Sequence, residues 1–128
     1  MSRAALPSVR CLLSNLCTRN IWDKVRFLGC VTEYSTHSAT LTLQHDFPKQ
    51  NNIKVGVNVT LLLESLKLEH IDIGQWVHVI GCITSIKQRP LKTTDFSTAT
   101  VEVQALALWI AEDLDITSYE TTLISELD

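Results

Sequence analysis

Apolar and polar residues alternate along most of the chain, and a period of two is the signature of strands that bury one face. Residues 24–34 put Val25, Phe27 and Val31 on one face and Lys24, Arg26 and Thr32 on the other, with Gly29 in the middle, before the turn-forming run Ser35-Thr36-His37-Ser38. Ala39, Leu41 and Leu43 resume the alternation as far as His45, so the two runs read as a hairpin. Residues 46–52 break the pattern, and Ile53, Val55, Val57 and Val59 define a third strand. From Thr60 the period changes: Leu61, Leu62, Leu63, Leu66 and Leu68, with Glu64 and Lys67 between them, predict a short helix that Asp72-Ile73-Gly74 ends. Residues 75–86 form a fourth strand, rich in β-branched residues, in which Gly81 marks a bulge or tight bend. Residues 87–97 are polar and basic, contain Pro90 and read as a loop. Residues 98–110 form a fifth strand with Val101, Val103, Ala105, Ala107 and Trp109 on one face and Leu106, Leu108 and Ile110 on the other. Its second half is apolar on both sides, so something must cover its outer face.

The last segment supplies a cover. Asp115 is placed to cap a helix over about residues 115–127, where its carboxylate meets the free amides of the first turn. At the helical period Ile116, Leu123 and Leu127 share a narrow arc flanked by Tyr119 and Ile124, so this helix is amphipathic. The succession of a hairpin, a third strand, a short helix and two further strands is the order of an OB-fold. The expected fold is all-β: a five-stranded Greek-key barrel with a short helix between strands three and four and a C-terminal amphipathic helix. Residues 1–22 are a lead-in, and residues 23–128 form a single domain with no internal repeat.

Composition agrees with this and narrows the chemistry. A chain of 128 residues that is 45% hydrophobic and 20% charged suits one folded domain. No apolar run reaches the ~18–20 residues that a membrane-spanning helix needs. Cys11, Cys17, Cys30 and Cys82 contain no closely spaced pair of the zinc-ribbon kind, so they read as thiols in a reducing compartment, with no metal site. Residues 1–22 hold Arg3, Arg10 and Arg19, four Ser or Thr and no acid, which suits either a mitochondrial transit peptide or an ordered, strand-like lead-in at residues 9–13; the second is favoured. His37, His45, His70 and His78 have no metal-ligand spacing, and there is no nucleophile elbow or glycine-rich phosphate loop. The chain is therefore expected to be neither an enzyme nor a cofactor carrier.

Charge is divided unevenly. Residues 112–128 carry six acids and no base, which leaves the remainder of a chain of net charge −3 mildly basic. Lys87, Arg89 and Lys92 fall in the segment between strands four and five that borders the nucleic-acid groove of OB-folds, and Arg26 and Lys54 sit at outward strand positions. Exposed rings for base stacking are scarce, with Tyr34, Phe47 and Trp76 the candidates. Single-strand binding by this chain alone is expected to be weak. Ile116, Tyr119, Leu123 and Leu127 of the last helix, with Leu108 on the outer face of the fifth strand, form a candidate partner surface anchored by Tyr119.

Four segments bear a resemblance: residues 23–34 (DKVRFLGCVTEY), 57–66 (VNVTLLLESL), 74–81 (GQWVHVIG) and 103–109 (VQALALW). Together they resemble the smallest subunit, Ten-one, of the CST telomere-capping complex in its filamentous-fungal form, over roughly residues 23–120. That family is similar in architecture to the smallest subunit of RPA. The resemblance implies an OB-fold that heterodimerises with a larger OB-fold subunit through C-terminal helices, at telomeric chromosome ends in the nucleus. It implies help with single-stranded telomeric DNA and end protection, and no membrane or small-molecule ligand. The alternative from a different class is an independent, organellar or RPA-like single-strand binder, for which the acid-free N-terminus and the basic loop argue.

Overall fold

The computed structural model describes residues 8–47, 52–90, 97–112 and 116–127, with the side chains of residues 52, 88–90, 97–98 and 124–127 left out of that description. Six strands occur in the order β1 (Val9–Arg10), β2 (Lys24–Ser35), β3 (Thr40–Gln44), β4 (Asn52–Asn58), β5 (Trp76–Pro90) and β6 (Ser97–Ile110), followed by helix α1 (Ile116–Leu127). Their order in the sheet is β1-β2-β3-β4-β6-β5, and β2 also pairs with β5. That last pairing closes β2 to β6 into a five-stranded barrel, with β4 and β6 parallel and the other barrel pairs antiparallel. This is the OB-fold expected from the succession of elements.

The inward positions of β2, β3 and β4 follow the alternation. Val25, Phe27, Val31, Leu41, Leu43, Ile53, Val55, Val57 and Val59 are all buried in one core. Gly29 takes its place in that inward row because a Cβ there would lie 2.8 Å from Leu43 Cβ and 3.0 Å from Leu13 Cδ1. Residues ahead of β2 join the same core. β1 pairs parallel to β2, a 3-10 turn spans Leu13–Thr18, and Cys11, Leu13 and Leu16 are buried against the barrel strands.

Three elements differ from the expectation, each for a local reason. The fifth predicted strand does not keep one inward parity: Ile80 pairs with Ala107 but Gly81 with Ala105, which leaves Leu106 as an extra residue in β6. A bulge flips the faces beyond it. Val101, Val103 and Ala105 therefore point inward before the bulge and Leu108 and Ile110 after it, so Leu108 packs on the core while Trp109 lies outside against His78. The predicted loop at 87–97 is also shorter than expected. Lys87, Gln88, Arg89 and Pro90 pair with Thr100, Ala99, Thr98 and Ser97, which makes them the end of a two-stranded ribbon. Finally, the leucine-rich connector holds only two 3-10 turns, Thr60–Leu62 and Leu68–His70. Leu62, Leu66 and Ile71 reach the core, whereas Leu61, Leu63 and Leu68 are exposed. A connector this short gains too little from burial on one face to nucleate a regular helix.

Helix α1 lies outside the barrel. Tyr119 and Leu123 bury themselves against Leu12 and Leu28, with Phe47, Trp76 and Ala111 packed around them. Asp115, the expected cap, lies outside the described residues. No helix among the described residues is long and apolar enough to cross a membrane.

Candidate functional site

Strand register decides which basic residues share a surface. Lys54 pairs with Thr100 across β4 and β6, and Thr100 pairs with Lys87 across β6 and β5. The three form one transverse row, all exposed, so the two lysines flank Thr100 about 10 Å apart on the outside of the barrel. Arg89 lies two positions beyond Lys87 on the same strand, opposite Thr98. Lys92 lies outside the described residues.

A groove of about 360 Å³ adjoins this row, lined by Thr40, Gly56, Asn58, Thr84, Thr100, Glu102, Val103 and Gln104. Its floor is made of hydroxyl and amide side chains, held in place by their own bonds. Thr84 Oγ1 donates to the Glu102 carbonyl at 3.2 Å, Gln104 Nε2 donates to the Asn58 carbonyl at 3.4 Å, and Asn58 Oδ1 accepts from the Thr60 amide at 2.9 Å. Gly56 leaves the floor flat, since a Cβ there would meet only Thr40 Cγ2, at 3.4 Å. Glu102 is the one charged residue among the described residues lining the groove. A surface of this kind can hydrogen-bond a flexible polar chain and hold phosphate at its lysine-bearing edge. Among the described lining residues it offers one carboxylate against anions and no ring.

Arg26 is in a different place. Its guanidinium lies over the Trp109 ring, 5.3 Å from the centroid, on the flank where β2 meets β5, and Arg10 lies over Tyr119 at 5.6 Å. Trp109 in turn stacks on His78, with ring centroids 5.3 Å apart. Burial first, and then Arg26 and Arg10, lower the His78 pKa. This flank seats α1. Tyr119 is 9% exposed, and burial pushes its hydroxyl up to about 12. Buried His45, just past β3, closes the seat with Nε2 at 2.6 Å from Glu120 Oε2.

Of the candidate partner residues, Tyr119 and Leu123 thus face their own barrel, Leu108 packs on its core and Ile116 is half-buried. Leu127 belongs to α1, but its side chain is outside the description. Among the described side chains of α1, Thr117, Ser118, Thr121 and Thr122 are exposed on its outward side.

The three rings expected to be exposed are not. Tyr34 packs on the core, and Phe47 and Trp76 pack around the α1 seat. Among the described residues the exposed large ring is Trp22, at 74%. Sequence pattern did not single it out because it precedes the first alternating run; the turn-formers Asn20 and Asp23 on either side of it were the available signal. The four cysteines are free thiols, and no three His, Cys, Asp or Glu side chains among the described residues converge as a metal site.

Comparison with known proteins gives a consistent picture. The sequence model of the Ten1 family, described as "Telomere capping, CST complex subunit", matches residues 1–124. No curated protein sequence matches significantly. Among solved structures, a chain of the S. pombe Stn1-ten1 complex is similar at 17% identity and a TM-score of 0.70, over 96% of this chain and 94% of that one. The telomere capping protein Ten1 of S. pombe is similar at 17% identity and a TM-score of 0.68, over 94% and 98%. A chain of U. maydis Replication protein A bound to ssDNA is similar at 16% identity and a TM-score of 0.59, over 95% and 93%. At these identities the structural likenesses speak for the fold.

Proposed function

The chain belongs to the Ten1 family of telomere-capping CST complex subunits, and from that premise we propose that it is the small OB-fold partner of a larger, Stn1-like OB-fold subunit and lends the pair a weak single-strand contact at chromosome ends in the nucleus. The observation that carries the pairing is the setting of α1. The helix is seated on the outside of the closed barrel by Tyr119 and Leu123, and it turns Thr117, Ser118, Thr121 and Thr122 to solvent. Small outward side chains let a second helix approach closely, since interaxial distance is set by the residues at the contact. Ile116, half-buried at the start of α1, belongs to the barrel-facing stripe with Tyr119 and Leu123. Tyr119 and Leu123 are then positioning residues, which hold α1 at the angle its partner meets. The S. pombe Stn1-ten1 complex is a precedent for such a pair.

The DNA contact is assigned to the groove beside Lys54 and Lys87. Two lysines and a polar floor give a modest site, and Glu102 weakens it further. A modest site suffices in a complex, where a linked second site acts at high effective concentration.

Co-expression with the larger OB-fold subunit, followed by size exclusion with light scattering, tests the pairing. One-to-one co-elution that is lost on deleting residues 114–128 is the expected result. Separate elution of the intact chain would refute the pairing, and unchanged co-elution of the deletion variant would refute the role of α1.

A further inference from the structure

Trp22 stands where its side chain is costly. Residues 20–23 form a tight turn in which the Asp23 amide donates to the Asn20 carbonyl at 3.1 Å and the Asn20 amide donates to Asp23 Oδ2 at 3.0 Å. Trp22 is the third residue of that turn, with φ at +75°. Left-handed backbone at this position favours glycine or asparagine, and for a bulky aromatic it is a strained conformation. The ring gains little burial in return, being 74% exposed. A strained, solvated indole contributes nothing to the fold that a glycine would not supply better, so its place needs another account.

The surrounding register supplies one. The Trp22 amide donates to the Ile83 carbonyl at 2.7 Å, and the Ile83 amide donates to the Asp23 carbonyl at 3.0 Å. These bonds close a bulge at the end of the antiparallel β2–β5 ladder, whose last regular pair is Lys24 with Cys82. Trp22 and Asp23 therefore both stand opposite Ile83, the residue before Thr84. Thr84 is the extra residue of a bulge, since Ile83 pairs with Val103 and Ser85 with Glu102, and it lines the groove. The backbone of Trp22 thus lies one residue from Thr84 on the β2 side of the groove, among whose described lining residues there is no ring, with Lys54 and Lys87 at a second edge.

We propose that Trp22 is the base-stacking platform of this groove, taking a base of a single-stranded nucleic acid whose phosphates run on toward Lys54 and Lys87. Stacking on an exposed ring is tolerant of base identity and is among the larger contributions to single-strand binding. A Trp at this turn position exchanges a little stability for that contact. The inference rests on the groove being the nucleic-acid surface proposed above, and the test separates the two.

The experiment titrates full-length chain with a fluorescent oligo-dT, comparing native protein with Trp22→Gly, Trp22→Tyr and the double variant Lys54→Gln/Lys87→Gln, and records thermal unfolding of each. Trp22→Gly is expected to lose at least fivefold in affinity with no fall in thermal stability, Trp22→Tyr to keep most of the affinity, and the double variant to lose affinity as well. Unchanged affinity in Trp22→Gly with a loss in the double variant would overturn the platform and leave the groove reading intact. No binding by any protein, or no loss in any variant, would overturn both. Unchanged DNA affinity together with weakened co-elution with the larger subunit would overturn the platform by making Trp22 a protein contact.

Discussion

A methyl group added at Gly81 would lie 2.4 Å from the Gln104 carbonyl oxygen and 2.7 Å from Val103 Cγ1. The first of these atoms is backbone of β6, locked by its own ladder, so β5 and β6 have to separate to admit it. Gly81→Ala is expected to cost about 2–3 kcal/mol, the range for overpacking a tight core, read as a fall in the urea midpoint. Gly56→Ala is the contrast: it meets one flexible methyl at 3.4 Å and is expected to stay within about 0.5 kcal/mol of native. His78 gives a second kind of test. Its pKa is lowered by burial first and then by Arg26 and Arg10, so the unfolded chain takes up this proton at a higher pH than the fold does. The stability it contributes is complete above the ordinary value of 6.5 and is lost as pH falls through the folded value. His78→Gln is therefore expected to flatten the decline in melting temperature between about pH 7 and pH 5. An unchanged acid slope would show that other groups govern it.

At the level of elements, what the sequence made legible depended on contrast between faces. β2, β3 and β4 alternate sharply, and their inward sets were readable residue by residue. The second half of β6 is apolar on both sides, so parity carried no information there and the Leu106 bulge that turns Leu108 inward was hidden. Lys87–Pro90 failed for the opposite reason. Its sequence is mostly polar, and only pairing with Ser97–Thr100 makes it a strand. Among the site residues, Lys54 was legible as an outward strand cation and Lys87 as a loop cation, but their common row through Thr100 is a property of register between strands far apart in sequence. Trp22 was invisible to alternation because its conformation is set by a turn. Helix α1 was legible as amphipathic, although the sequence could not say that its apolar stripe is used by its own barrel. Leu123 is 1% exposed in that seat. Leu123→Ala is expected to destabilise α1 by about 2–4 kcal/mol. Because the helix packs outside the closed barrel, hydrogen exchange should speed up in α1 while β2 to β6 stay protected. Equal acceleration throughout would mean that helix and barrel unfold as one unit.

For the molecule as a whole, charge limits what the DNA contact can be. The net charge is −3, and six acids fall within residues 112–128, the stretch that contains α1, while Lys54 and Lys87 sit on β4 and β5 in the row through Thr100. Long-range attraction to a polyanion is therefore weak, and the salt dependence of binding should count local contacts only. Each phosphate neutralised on a single strand contributes about −0.7 to the slope of log affinity against log salt. Two lysines predict a slope near −1.4 for the chain alone, and Lys54→Gln/Lys87→Gln should bring it close to zero. Stacking on Trp22 releases no counterions, so Trp22→Gly should weaken binding while leaving the slope unchanged. In the pair with the larger subunit the total slope is steeper, because the partner's contacts add. The same lysine substitutions should still subtract about 1.4 from it, since each phosphate contact counts once wherever the rest of the strand is held. Anisotropy titrations over a range of salt concentrations, on the chain and on the pair, measure both differences. A slope in the pair that is insensitive to the two lysines would mean that the strand leaves this barrel untouched and that the small subunit serves the complex through α1 alone.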